Sequence, residues 1–360
     1  MLSASDVAAA RLPFGRASTL SAQAYTDPAV YAAEVERIFR REWLCVARSD
    51  QVPEPGDYLT LDLLDEPLIV ARDERGELHV LSRVCRHRGA VLCEGTGNTR
   101  TLRCPYHAWV YRLDGTLAGA PHTESIDGFD PARFALPRLR TEVWEGFVFA
   151  SFAPDPEPLA PRLATLSRVL ARYRLDEYVT TEAMVFDSVF DWKVLVDNFM
   201  EAYHHIATHR DTLEPILPAR ASYALENDGP WSLLVMPPRN SADRRDDSTD
   251  WPEETLLAGC VFPSHLFAPA REVLSWYQIL PEAAGRFTLR IHVCPSRESN
   301  GSPEAEAIRA FTRSVHVQDI AACEATWAGL RAPSYRSGLL APLEAPLWQF
   351  NQWWLDRMGP

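Results

Sequence analysis

The chain has 360 residues, 46% of them hydrophobic and 24% charged. It is too long for one hydrophobic core and too apolar for a disordered or collagenous chain, so two soluble domains are expected. The net charge of −13, from 36 basic and 49 acidic residues, argues against a nucleic-acid partner and suits a basic protein partner or a cationic substrate. No run of 18 apolar residues occurs, so no membrane span is expected, and MLSASDVAAARLPFGR at the N-terminus lacks the apolar segment of a secretory signal. Seven cysteines are too few, and odd in number, for a disulfide scaffold, which points to a reducing, cytoplasmic compartment.

The predicted elements make an α+β pattern. A helix is expected over 27–43, with Asp27 as cap, Pro28 in the first turn, and Tyr31, Val35, Ile38, Phe39 and Trp43 on one face. Strands follow at 58–64, 67–72, 78–82 and 108–113, the last leading into an Asp114-Gly115 hairpin turn, and at 147–152. The proline-rich stretch 153–161 marks a domain boundary. Beyond it come a helix (162–174), a strand (182–190), a helix from Asp191 or Trp192 to about His205, and strands near 231–236, 272–280 and 286–293. The polar, turn-rich segment 237–254 reads as a mobile loop, and helices at 303–330 and about 342–357 end the chain.

Two constellations carry chemistry. The first is Cys85-Arg86-His87 and, after sixteen residues, Cys104-Pro105-Tyr106-His107, each in a loop beside a strand. Two thiolates and two imidazoles suit either tetrahedral zinc or a [2Fe–2S] centre. Zinc fingers usually pair like with like in each knuckle, whereas here each loop supplies one cysteine and one histidine, as a Rieske cluster requires. The stretches CRHRG (85–89) and CPYHAW (104–109) closely resemble the Rieske motif of ring-hydroxylating and demethylating oxygenases. Respiratory Rieske proteins carry a disulfide between two further cysteines; Ala90 and Tyr106 stand at those positions, so the resemblance is to the oxygenase kind.

The second constellation is DWKVLVDNFMEAYHHIATH (191–209), with three histidines and three carboxylates. Two imidazoles and a carboxylate make the facial triad of non-haem Fe(II) oxygenases. Helical spacing alone would pair His205 with His209, four apart. The segment resembles the oxygenase family's own motif, however, and that resemblance implies His204 and His209 as iron ligands, with the helix bending or ending between them. It also implies Glu201 as the carboxylate bridging two metal centres, where the family often has Asp, and places Asp197 where a Glu is usual. Asp319 falls on the apolar stripe of the helix 303–330, where an ionised carboxylate is costly unless paired or metal-bound, and its surroundings resemble the family's third-ligand segment.

The resemblance, over roughly 25–357, is to the α subunit of a Rieske non-haem iron oxygenase. It implies an all-β Rieske [2Fe–2S] domain at about 40–155. It also implies a catalytic domain, 1–39 with 156–360, in which a curved antiparallel sheet grips a long helix. One [2Fe–2S] cluster and one mononuclear Fe(II) per chain are implied. No dinucleotide or flavin motif is present, so a separate NAD(P)H reductase or ferredoxin must supply electrons for O2. Electrons are expected to pass between subunits of a homotrimer or trimer-based hexamer, from a Rieske histidine such as His107 through Glu201 to His204. Hydroxylation or oxidative demethylation of a small organic substrate is expected, with N-methyl or quaternary ammonium compounds favoured. Tyr203, Trp231, Trp251, Trp276, Tyr277 and Trp327 are candidate cation–π partners. The alternatives are a cis-dihydroxylating dioxygenase of an aromatic carboxylate, served by Arg210, Arg220 or Arg239, and a zinc-stabilised binding protein without redox activity.

Overall fold

The computed structural model describes residues 2–241, 251–252, 254–270 and 272–359. The chain divides into two compact units, one of residues up to Arg40 together with Pro158 onward, the other Arg41–Glu157. The second division falls inside the proline-rich stretch. The expected loop 237–254 lies largely outside the described residues. At its edges Arg239–Ser241 form a short 3-10 turn, and Trp251 is buried with its indole N–H donating to the Tyr223 hydroxyl at 2.8 Å.

The Arg41–Glu157 unit is built of short antiparallel sheets. Strand β1 (Leu44–Arg48) pairs with β10 (Phe147–Ser151), which pairs with β9 (Arg140–Trp144). A second sheet takes the order β4 (Leu78–Ser82), β3 (Glu66–Arg72), β2 (Asp57–Leu63), β5 (Thr96–Asn98). In β2, Leu59, Leu61 and Leu63 point inward while Asp62 is exposed, the alternation of a half-buried strand. The β2–β3 hairpin turns on Leu64 and Asp65, both at positive φ, the two-residue geometry whose twist matches the strands. A third sheet is β6 (Thr101–Arg103), β7 (Val110–Arg112), β8 (Leu117–Gly119), with Asp114 Oδ1 accepting the Thr116 N–H in the expected turn. The strand expected at 108–113 starts late because Ala108 sits at φ +58, closing the loop of Cys104 instead of extending.

The other unit holds a seven-stranded antiparallel sheet. Its order is β11 (Met184–Ser188), β17 (Arg286–Pro295), β16 (Val273–Ala283), β15 (His265–Pro269), β14 (Leu256–Val261), β13 (Trp231–Met236), β12 (Tyr223–Ala224). Strands β14 and β15 were not expected. They are buried almost throughout, so they lack alternation, and Gly259 and Pro263 read as breakers. Gly259 is needed for packing: a Cβ there would lie 2.3 Å from the Phe267 ring.

The helices of this unit are shorter than expected at functional points. Helix α1 (Pro28–Glu34), capped by Asp27, runs into a π turn at Val35–Phe39 and stops there, four residues before Trp43. The Arg40 N–H returns to the Val35 carbonyl at 2.9 Å and closes that turn. Helix α2 (Trp192–Phe199) ends at Met200, and a separate 3-10 turn spans Tyr203–Ile206. Helix α3 (Pro303–Leu330) has the expected limits, with Ser302 Oγ accepting the Ala305 N–H; helix α4 (Ala345–Met358) closes the chain. Among the described residues, no helix is long and apolar enough to cross a membrane.

Candidate metal centres

In the Arg41–Glu157 unit, one loop follows β4 and the other joins β6 to β7. Each is closed by backbone hydrogen bonds around its cysteine: Gly89 N–H to Cys85 O at 3.0 Å, Cys85 N–H to Ala90 O at 2.9 Å, Ala108 N–H to Cys104 O at 3.1 Å and Cys104 N–H to Trp109 O at 2.7 Å. Both cysteines are buried, whereas His87 and His107 are exposed with ring centroids 4.6 Å apart. Trp109 stacks on His87 at 4.9 Å and 6°, fixing the ring. The Tyr111 hydroxyl lies 3.3 Å from Cys85 Sγ and accepts the Arg86 N–H at 3.0 Å. Hydrogen bonds of this sort to ligand sulfur tune an iron–sulfur potential.

Around a single tetrahedral zinc, thiolate and imidazole donors lie roughly 3.5–4 Å from one another. Among the described residues, only His204, His209 and Asp319 form a group whose ligand atoms all lie within 4.8 Å of one another. Cys45 and Cys93 are free thiols, half-buried rather than fully buried.

In the other unit, α2 breaks because Glu201 starts a new turn: its Oε2 accepts the His204 N–H at 3.0 Å and its Oε1 lies 2.6 Å from His204 Nδ1. This break turns His204 and His205 in different directions. His204 Nε2 approaches Asp319 Oδ1 at 3.5 Å, and His209 Nε2 reaches the same oxygen at 2.8 Å. His205 is instead buried with Nδ1 3.1 Å from the Leu217 carbonyl, and burial pushes its imidazole down to about 4. Asp319 does not pair with Arg313, whose guanidinium lies over the Phe186 ring at 5.5 Å.

The donor set fits a metal. His204 Nδ1 faces the Glu201 carboxylate, and His209 Nδ1 faces Gln318 Oε1 at 2.7 Å, an oxygen that also accepts from the Thr212 hydroxyl at 3.0 Å. With a cation bound, both imidazoles would carry their proton on Nδ1 and turn an Nε2 lone pair to the metal beside the shared carboxylate oxygen. That arrangement repels unless a cation sits within it. Protons respond accordingly: burial opposes charging His204, but hydrogen bonds to Asp319 and Glu201 outweigh it and raise the group to about 9. Burial likewise opposes ionisation of Asp319, yet the two histidines hold its carboxyl well below the usual range. Gln318 and Thr212 were not anticipated; nothing in their local sequence marks them as partners of His209.

Asp197 lies apart from this triad. Its Oδ2 accepts from the Tyr25 hydroxyl at 2.7 Å, its Oδ1 is buried without a partner among the described residues, and burial pushes its carboxyl up to about 7. It lines a second cavity, of about 350 Å³, that also touches Glu201 and His204.

The triad opens onto a cavity of about 200 Å³ whose walls include Leu195, Leu213, Met236, Ile308 and Val315. Of the six aromatic residues expected to contact a substrate, only Tyr277 lines it; Phe199 and Phe311, from α2 and α3, supply the other rings. Trp231 and Trp276 are core, Trp276 stacked on His292 at 4.7 Å, while Tyr203 is exposed. Arg210, Arg220 and Arg239 do not reach the cavity, and among its described lining residues none is Lys or Arg.

Two sheet-built units, one bearing an exposed Cys₂His₂ pair of loops and the other a buried His₂Asp group over an apolar cavity, define a two-centre redox protein. Residues 175–360, more than half of the chain, match the family described as ring hydroxylating alpha subunit (catalytic domain), and residues 42–130 match the Rieske [2Fe-2S] domain. The chain belongs to the ring-hydroxylating α-subunit family, and its cofactors are a Rieske [2Fe–2S] cluster and a mononuclear iron. It is 37% identical over 195 residues to the glycine betaine monooxygenase oxygenase subunit of Chromohalobacter salexigens, a stretch covering 54% of this chain and 43% of that relative. It is 27% identical over 345 residues to the chloroplastic choline monooxygenase of Amaranthus tricolor, covering 91% of this chain and 75% of that one. The chain thus spans under half the length of the first relative and three quarters of the second. Among solved structures it resembles the quaternary ammonium Rieske monooxygenase CntA, with TM-score 0.87, 23% identity and 99% of each chain covered. It also resembles naphthalene 1,2-dioxygenase from Rhodococcus sp., with TM-score 0.79, 23% identity and 94% of each chain covered. These two likenesses establish the fold.

Proposed function

We propose that this chain is the terminal oxygenase of a Rieske monooxygenase system that hydroxylates or oxidatively demethylates an N-methyl or quaternary ammonium compound. The observation that carries this reading is the convergence of His204 Nε2 and His209 Nε2 on Asp319 Oδ1 at the wall of an apolar cavity. In it, Cys85, Cys104, His87 and His107 hold the cluster, and His204, His209 and Asp319 hold the mononuclear iron. The cluster passes single electrons, and the mononuclear iron activates O2.

The residues of the chain do the rest. Glu201 and Gln318 orient the two imidazoles, and the apolar walls exclude water from the reacting carbon. The rings of Phe199 and Tyr277, with centroids 4.9 Å apart, offer aromatic faces to a methylated ammonium. An aromatic carboxylate is less well served, because no described lining residue is cationic. Electrons come from a separate NAD(P)H reductase or ferredoxin. The exposure of His87 and His107 supports their passage from His107 of a neighbouring copy through Glu201 to His204, in a homotrimer or trimer-based hexamer. Two thiolate ligands and five further free cysteines favour a cytoplasmic setting.

Low-temperature EPR and iron analysis of anaerobically purified protein test the assignment. An average g near 1.9 on reduction and about three irons per chain are expected, with choline, glycine betaine or carnitine giving a carbonyl fragment that carries one labelled oxygen atom from O2 when it is trapped by reduction before exchange with water. A colourless zinc protein, or a cis-diol carrying two labelled atoms, overturns it.

Glu201→Gln keeps an oxygen that can accept from His204 Nδ1 but removes the charge. Both metals are expected to remain, while reoxidation of the reduced cluster during turnover slows by roughly 10–100-fold. Unaltered product formation would remove Glu201 from the electron path.

A further inference from the structure

His316, with Asn198, Ser275 and Thr312, is among the polar groups of the cavity wall that the metal centre does not use, and it is the one titratable group among these four. It lies three residues before Asp319 on α3, a spacing that puts both side chains on one face of the helix. It is 1% exposed and lines the cavity, yet its Nε2 has no hydrogen-bond partner among the described residues. The other three cavity histidines, His204, His205 and His209, each have Nδ1 within hydrogen-bond distance of an oxygen. The His316 ring is held edgewise between Phe186, at 4.9 Å, and Tyr277, at 5.7 Å, so its direction is fixed by packing. An imidazole nitrogen left unpaired in apolar surroundings is unfavourable, and the cavity that this ring borders is where a partner can come from.

Resting on the function proposed above, we infer that His316 hydrogen-bonds a hydroxyl group of the substrate, so that the cavity prefers a hydroxyl-bearing trimethylammonium compound to a carboxylate-bearing one. Burial pushes this imidazole down to about 4, which leaves it neutral, with one donor and one acceptor nitrogen, near pH 7. A hydroxyl matches that pair of roles. A carboxylate would need a cation that the described lining residues do not provide, and would face Glu201 and Asp319 in the same wall. The aromatic rings of Phe199, Tyr277 and Phe311 are left for the methylated nitrogen.

The test is anaerobic calorimetric titration of the iron-loaded protein with choline, with ethyltrimethylammonium (the same molecule lacking its hydroxyl) and with glycine betaine. Wild type is expected to bind choline about 5–10-fold tighter than ethyltrimethylammonium, the usual worth of one hydrogen bond. His316→Leu should erase that preference while holding ethyltrimethylammonium as before, and His316→Gln should restore part of it. Iron content and the Rieske spectrum show whether each variant is folded. A hydroxyl preference that survives in His316→Leu, or tighter binding of glycine betaine than choline by wild type, overturns the inference. If wild type binds none of the three, the substrate class proposed above falls. Benzyl alcohol against toluene then decides the role of His316, and equal discrimination in wild type and His316→Leu refutes it.

Discussion

Asp319→Ala is expected to empty the mononuclear site while leaving the Rieske centre intact. The carboxylate is the only negative group facing both Nε2 lone pairs, at 2.8 Å from His209 and 3.5 Å from His204. Without it two neutral imidazoles remain, a donor set that no longer offsets the cation's charge. Iron per chain should fall from about three to about two, turnover should vanish, and the reduced-cluster EPR signal should be unchanged, because Cys85, His87, Cys104 and His107 are untouched. Retained turnover would remove Asp319 from the ligand set. Asp319→Glu separates charge from reach: weakened iron retention with some activity is the expected intermediate.

The second large effect concerns stability. Lys193, at the start of α2, is buried with Nζ 2.7 Å from Glu34 Oε1 and 2.7 Å from Asp191 Oδ1. Glu34 on α1 also accepts indole N–H groups from Trp192 at 3.1 Å and from Trp354 of α4 at 2.7 Å. The cluster therefore fastens three helices beneath the segment that leads to the iron site. Burial alone would lower the Lys193 ammonium, but Asp191 and Glu34 hold it above its ordinary value. Lys193→Met leaves two carboxylates buried without a cation, an expected loss of about 3–5 kcal/mol. At roughly 2–4 °C per kcal/mol, the melting transition of this unit should fall by about 6–20 °C in calorimetry. Replacing the whole cluster, Lys193→Met with Glu34→Gln and Asp191→Asn, should cost less than the single change, since no unpaired charge then remains. A Lys193→Met transition within 1 °C of wild type would show that the cluster contributes nothing.

Both proposed metal-site constellations could be picked out because their residues lie close in sequence. Cys85 and His87, Cys104 and His107, and Glu201, His204 and His209 each lie within one loop or turn, and Asp319 stood out as a charge on an apolar helical stripe. The choice of His204 over His205 came from resemblance, since regular helix spacing favours the other pair. In the structure the helix stops at Met200 and Glu201 caps a new turn, which brings His204 rather than His205 towards Asp319. What was hidden is what arises only when distant segments meet. The cavity draws on α2, β13, β14, β16 and α3, so Phe199, Met236, Ala258 and Phe311 carry no shared local pattern. His316 was within reach, three residues before Asp319 on the same helix, but only its missing partner gives it meaning. The aromatic candidates failed for a simple reason: large rings fill cores, as Trp231 and Trp276 do.

One helix both walls the cavity and carries Asp319, the carboxylate proposed as the third metal ligand. Ile308, Phe311, Thr312 and Val315 line the cavity, and Asp319 follows on the same unbroken α3. From Ile308 to Asp319 the rod spans about 16 Å, so pivoting it by roughly 4° at one end carries the other through about 1 Å. The helix acts as a lever whose load arm is the carboxylate. A guest that pressed on Ile308 or Phe311 would shift the charge that faces both imidazoles, so its size would be felt there without any contact with the carboxylate.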